Sequence, residues 1–186
     1  MTGLSDRPHA EREPRGATVE RAVGIHSIPA ATRALSSLSR IDYADVFTLS
    51  EGIPGDALPG DVGTNATAEQ WARAMFGDVP SPTERLIWQG LLGLRLSRGR
   101  SPDTVAGWRI TGRGEDWIRL EAASWFLTNN LVVQAAAGRV SLGTFLRYDR
   151  PPARAVWSPL SAVHRRLAPG LLRDAAAAVR GARRGA

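Results

Sequence analysis

The chain has no cysteine and no lysine, and only three histidines. Without cysteine there are no disulfides, no thiolate metal ligands and no cysteine nucleophile. His9, His26 and His164 are too scattered to form a local ligand spacing, so no structural metal is expected. No apolar run approaches the about 20 residues needed to cross a bilayer. The segment from Met1 to Arg7 lacks the apolar core of a secretory signal, so a cytoplasmic protein is expected. The glycines of Gly112-Arg113-Gly114 precede a strand pattern rather than a helix, and no dinucleotide fingerprint occurs elsewhere. No cofactor is therefore expected, and the chain is not itself a nicotinamide-dependent reductase.

What is present fits one domain. The 186 residues are 43% apolar and 23% charged, enough for a real core. All 24 cationic residues are arginine, which with abundant alanine and glycine points to a GC-rich coding sequence. Codon bias explains much of the basic pI and argues against nucleic acid as the partner. The charge is also local. From Arg147 to Ala186 nine arginines face Asp149 and Asp174, a net of +7; the first 146 residues carry fifteen arginines and sixteen acids, a net of −1. Such a segment reads as a solvated helix face with a frayed end, or as a surface for acidic lipid, nucleic acid or an acidic partner. Residues 1–18 read as a disordered polar tail, 19–182 as the domain and 183–186 as a frayed basic end.

The elements follow from periodicity and punctuation. Val19 to Pro29 suggests an edge strand, and Ala31 to Leu35 a helical turn. From Ile41 to Leu49, Ile41, Tyr43, Asp45, Phe47 and Leu49 share one parity, a strand pattern. Residues 51–64 are loop-like in their glycine and proline content. Thr67 with Gln70, and Ser81 with Pro82 and Glu84, are capping boxes that open two helices. The first is expected to end at Gly77 and the second to run to Gly99. Four apolar runs come next, Val105–Thr111, Trp117–Leu127, Leu131–Ala135 and Val140–Tyr148. Their separators include Thr128-Asn129-Asn130, and hairpin loops of this length make an antiparallel meander. One register gives a consistent inner face: Trp108, Ile110, Ile118, Leu120, Ala122, Ser124, Phe126, Leu131, Val133, Ala135, Val140, Leu142, Thr144, Leu146 and Tyr148. Trp117, Trp125 and Phe145 point the other way, marking an interface, or packing under the N-terminal strand. After Pro151-Pro152, Ser158 caps a final helix with Pro159 at its first position, and Pro169 is expected to kink or split it.

Early helices, an antiparallel sheet and a long final helix resemble a helix-grip domain, the START and polyketide-cyclase-like (SRPBCC) superfamily. Arg40-Ile41-Asp42-Tyr43-Ala44-Asp45, Trp71-Ala72-Arg73-Ala74-Met75-Phe76, Leu120-Glu121-Ala122-Ala123-Ser124-Trp125, Phe145-Leu146-Arg147-Tyr148 and Val163-His164-Arg165-Arg166 resemble an uncharacterised bacterial family of unknown function. The resemblance implies an α+β fold: a helix-grip-like sheet, two short helices before the meander, and a long C-terminal helix on the apolar face. It also implies a hydrophobic ligand (a lipid, polyketide or aromatic molecule) between sheet and helix, and association with a reductase-type protein; the outward aromatics allow a homodimer. No catalytic residue carries over. On this reading Trp108, Ser124, Phe126, Thr144, Tyr148 and His164 bind the ligand. A second reading is a cyclase, dehydratase or hydrolase using His164 as acid or base. A third is an interaction module acting through the basic C-terminal helix.

Overall fold

The computed structural model describes residues 18–50, 66–136 and 138–184. The polar tail up to Ala17, the stretch 51–65, Ala137 and the last two residues lie outside the described residues, and with them the expected loop over 51–64. Among the described residues seven strands form one antiparallel sheet in the order β1-β2-β7-β6-β5-β4-β3. They are β1 (Thr18–Val23), β2 (Tyr43–Ser50), β3 (Thr104–Val105), β4 (Trp108–Arg113), β5 (Trp117–Ala123), β6 (Leu127–Ala136) and β7 (Arg139–Tyr148). The helices are α1 (Ala30–Ala34), α2 (Ala68–Phe76), α3 (Pro82–Arg85) and the 33-residue α4 (Pro152–Arg184). The chain is α+β, with a long C-terminal helix laid on a sheet in a helix-grip-like arrangement.

The meander residues take the expected faces. Ile118 pairs with Val133 and Val133 with Leu142; Leu120 pairs with Leu131 and Leu131 with Thr144. All of these side chains are buried on one face. That face packs against Trp71, Ala72, Met75 and Phe76 of α2, and against Ala153, Trp157, Ala168, Leu172, Ala175 and Ala176 of α4. Both capping boxes form. Thr67 Oγ1 accepts from the Gln70 N–H at 3.2 Å while Gln70 Oε1 accepts from the Thr67 N–H at 2.8 Å, and Ser81 and Glu84 repeat the exchange.

Five local expectations are corrected. Thr128, Asn129 and Asn130 lie inside β6, and the turn falls at Ser124–Phe126. Asparagine favours turns in isolation, but here Asn130 is buried and its Oδ1 accepts from Ser36 Oγ, Ser37 Oγ and the Ser37 N–H. The Val105–Thr111 run is a hairpin, β3 and β4 joined by Ala106 and Gly107, both at positive φ as a two-residue turn requires. The helix opened by Ser81 stops short of Gly99: α3 passes into a π-helical stretch, Leu86–Leu91, marked by the Leu92 N–H to Ile87 C=O bond at 2.9 Å. The final helix begins at Pro152, so Pro159 is internal. Nor does Pro169 split it: an interior proline costs about 3 kcal/mol, yet the buried stripe runs on across it from Ala168 to Leu172 and holds the helix together.

The other face of the sheet has a smaller core. The segment from Gly24 to Ile41 crosses it, and Ile28, Leu35, Leu38 and Ile41 pack with Ala44, Val46, Val132 and Phe145. Phe145 does point away from α4, and it is buried under this N-terminal segment. Its ring lies over Gly143, where an added Cβ would sit 2.9 Å from the Phe145 ring edge. Trp117 is half-buried, and Trp125 at the β5–β6 turn stays 59% exposed.

Two outcomes follow for stability. Gly143→Ala should cost about 1–3 kcal/mol in urea denaturation, because the Phe145 ring must leave its position. The second concerns acid. Burial opposes ionisation of Glu69 and Asp149, but arginine hydrogen bonds outweigh it and hold both carboxyls below their usual values; bonds from Arg100 and Arg73 do the same for Asp78. A folded-state value below the unfolded one stabilises above the ordinary carboxylate range and is lost as pH falls through it. Stability should therefore be flat from neutrality to about pH 5 and decline below it. Arg73→Ala, which leaves Glu69 with Arg113 and Asp78 with Arg100, should make that decline shallower.

Candidate functional site

Alternation in β2 puts Tyr43, Asp45 and Phe47 on the helix-facing side, and the β2–β7 register sets Asp45 directly opposite Thr144. A carboxylate on an apolar face needs partners. Helix α4 supplies them. His164 Nε2 lies 3.2 Å from Asp45 Oδ1 and 3.2 Å from Thr144 Oγ1. The Tyr43 hydroxyl donates to Asp45 Oδ2 at 2.5 Å. Arg165 donates to the Tyr43 oxygen at 3.3 Å and to Ser161 Oγ at 3.0 Å. Asp45 has no exposed side-chain surface, whereas His164 retains 22%. Phe47 and Trp157 stand against the imidazole with ring centroids 5.9 and 5.7 Å away. Burial, then the Asp45 charge and hydrogen bond, push the Tyr43 phenol far above its ordinary value against the pull of Arg165.

This geometry limits what His164 can do. Asp45 and Thr144 meet the same ring nitrogen, and a carboxylate only accepts, so we assign the proton to Nε2. An Nε2–H shared between two acceptors cannot also take the Thr144 proton. In a nucleophile relay the carboxylate and the hydroxyl sit on opposite ring nitrogens; here they do not. Asp45–His164–Thr144 is a fastening between helix and sheet.

A second set of groups lies beside it. Following the pairing across the inner face, Tyr43 is opposite Leu146, Leu146 opposite Asn129 and Asn129 opposite Ala122. Continuing the Arg109–Glu121 register by one residue brings Trp108 beside Ala122. The row therefore reads Tyr43, Leu146, Asn129, Ala122, Trp108, and Trp157 of α4 stacks edge-on over Tyr43 at 5.2 Å. Trp108 Nε1, Asn129 Oδ1 and Trp157 Nε1 are buried and have no protein hydrogen-bond partner. Such groups are rare in folded proteins and each calls for an explanation. Trp88 from the π-helical stretch stacks at 90° on Trp108, 5.4 Å away.

Of the expected residues, the structure brings Trp108 to this row and joins Thr144 to His164 in the fastening. The hydroxyl of Ser124 is occupied in its own turn, accepting from the Phe126 and Leu127 N–H groups. Phe126 is buried in that turn with its carbonyl bonded to the Asp149 and Arg150 N–H groups. Tyr148 sits at the sheet end, half-buried, its phenol raised by burial and the Asp42 charge. Sequence reasoning missed Tyr43, Asp45, Asn129 and Trp157. One signal was available: Asp45 is an acid on the apolar parity of a strand, between Tyr43 and Phe47. Among the described residues no three histidine or acidic side chains gather as metal ligands. Comparison with family models, with curated proteins and with solved structures returned no match.

Removing one partner of the fastening strands the other. His164→Ala should cost about 2–4 kcal/mol and Asp45→Asn a similar amount. The double variant should fall short of the sum by about 1 kcal/mol or more, the signature of direct coupling in a denaturation cycle. Strict additivity would mean the two groups do not interact.

Proposed function

We propose that the protein binds a hydrophobic small molecule, of the lipid, polyketide or aromatic class, in its interior between the sheet and α4. One observation carries this reading: two indole N–H groups and one amide oxygen are buried without partners in and above a single row of the inner face. The walls around them are apolar and aromatic, from Trp88, Ala122, Leu146 and Tyr43. A mostly apolar site with a few convergent polar groups is what an oriented hydrophobic ligand requires. Trp108 on the sheet and Trp157 on the helix would donate to acceptor oxygens of the ligand, and Asn129 would accept from a hydroxyl. The resemblance to helix-grip proteins points the same way. The arrangement of His164 gives no relay through Thr144, because Asp45 and Thr144 meet the same Nε2; an acid–base reading would rest on its other ring nitrogen, Nδ1.

The ligand residues on this reading are Trp108, Asn129, Trp157 and Tyr43, with Thr144 and His164 holding the helix wall in place. Native mass spectrometry of the purified protein, compared with the same sample denatured and extracted, should reveal a retained apolar molecule. In parallel, N-phenyl-1-naphthylamine should gain fluorescence in the folded protein. Trp108→Phe and Trp157→Phe keep the ring and delete the donor. Each should weaken retention of the extracted molecule about fivefold, the worth of about 1 kcal/mol of hydrogen bonding. A clean apo mass together with no probe binding would reject the reading.

A further inference from the structure

Helix α4 has a second face. Its buried stripe, Ala153, Trp157, Ser161, Ala168, Leu172 and Ala175, faces the sheet and α2. On a flank of the helix, about 90–130° round from that stripe, Val163 is 47% and Leu167 60% exposed, one turn apart and in line. Beside them stand Arg166 and Arg173, both exposed and without a hydrogen bond or ion pair to any described residue. Asp174 is the one acid on α4. The segment from Arg147 onward has a net charge of +7 while the rest of the chain has −1, so the positive field belongs to this end of the molecule.

We propose that the outer face of α4 docks reversibly on an anionic lipid surface. The helix is about 50 Å long at 1.5 Å per residue, a ridge rather than a recess. Its exposed apolar residues are few and shallow, and arginine flanks them. That pattern suits a plane of acidic headgroups over acyl chains better than the cleft of a protein partner. Val163 and Leu167 dip into the headgroup boundary while Arg166 and Arg173 meet lipid phosphates. Docked in this way, the helix that carries Trp157 on its inner side lies between the bilayer and the interior. The proposal does not depend on a ligand being bound there.

The test is sedimentation with vesicles of phosphatidylcholine alone and of phosphatidylcholine mixed with phosphatidylglycerol. The protein should bind the mixed vesicles only, and less as salt is raised. R166E/R173E should weaken binding at least about 25-fold, near fivefold for each arginine removed from the surface. Leu167→Asp should also weaken it, with thermal unfolding unchanged because the position is exposed. R95E/R98E, which reverses two exposed arginines outside α4, should bind like the parent. Equal binding by R166E/R173E and the parent would overturn the proposal. So would indifference to phosphatidylglycerol, or binding to duplex DNA as tight as to the mixed vesicles.

Discussion

Asp45 is a carboxylate without exposed surface on a face that carries Phe47, Leu49, Leu142 and Leu146. Leaving it unpaired there would cost several kcal/mol. The position of α4 answers that demand. The helix must lie where His164 reaches Asp45 Oδ1, and with His164 placed, Trp157 two turns earlier falls over Tyr43 and Arg165 reaches the tyrosine oxygen. Hydrophobic burial would hold α4 against the sheet in several nearly equivalent ways. A hydrogen-bonded acid in the middle of the contact selects one.

That selection also shapes the interior. Tyr43 belongs to both sets of groups: its hydroxyl closes the Asp45 fastening and its ring ends the row that leads to Trp108. The two unpartnered indoles lie on different walls, one on β4 and one on α4. They share an interior only because the fastening fixes where the helix crosses. The internal prolines suit this. Pro159 and Pro169 lower the intrinsic preference of α4 for a helix, so its continuity rests on the buried stripe rather than on local propensity.

The second face of the sheet shows the same division between local and distant causes. Asn130 and Arg119 receive the crossing segment, Asn130 through Ser36 and Ser37 and Arg119 through the Leu35 carbonyl at 2.9 Å. These bonds join residues more than 80 positions apart, and they leave Phe145 buried under the segment rather than bare.

Much of this was legible in the sequence. The face each residue of β5, β6 and β7 takes follows from alternation alone, because a shift of one residue would have driven Arg119 or Arg147 into the core. Both capping boxes could be read from residue types three apart, and the charge asymmetry from counting. Strand ends and partners could not. Asn129 and Asn130 have turn chemistry, and only Ser36 and Ser37, some 93 residues away, make a strand position of Asn130. Asp45 was visible as an anomaly in its strand, but its partners on β7 and α4 were not. Periodicity records which face a residue occupies, since that depends on its neighbours along the chain. Which side chains meet across faces depends on where the chain returns, and here a buried acid and the helix that satisfies it decided that in three dimensions.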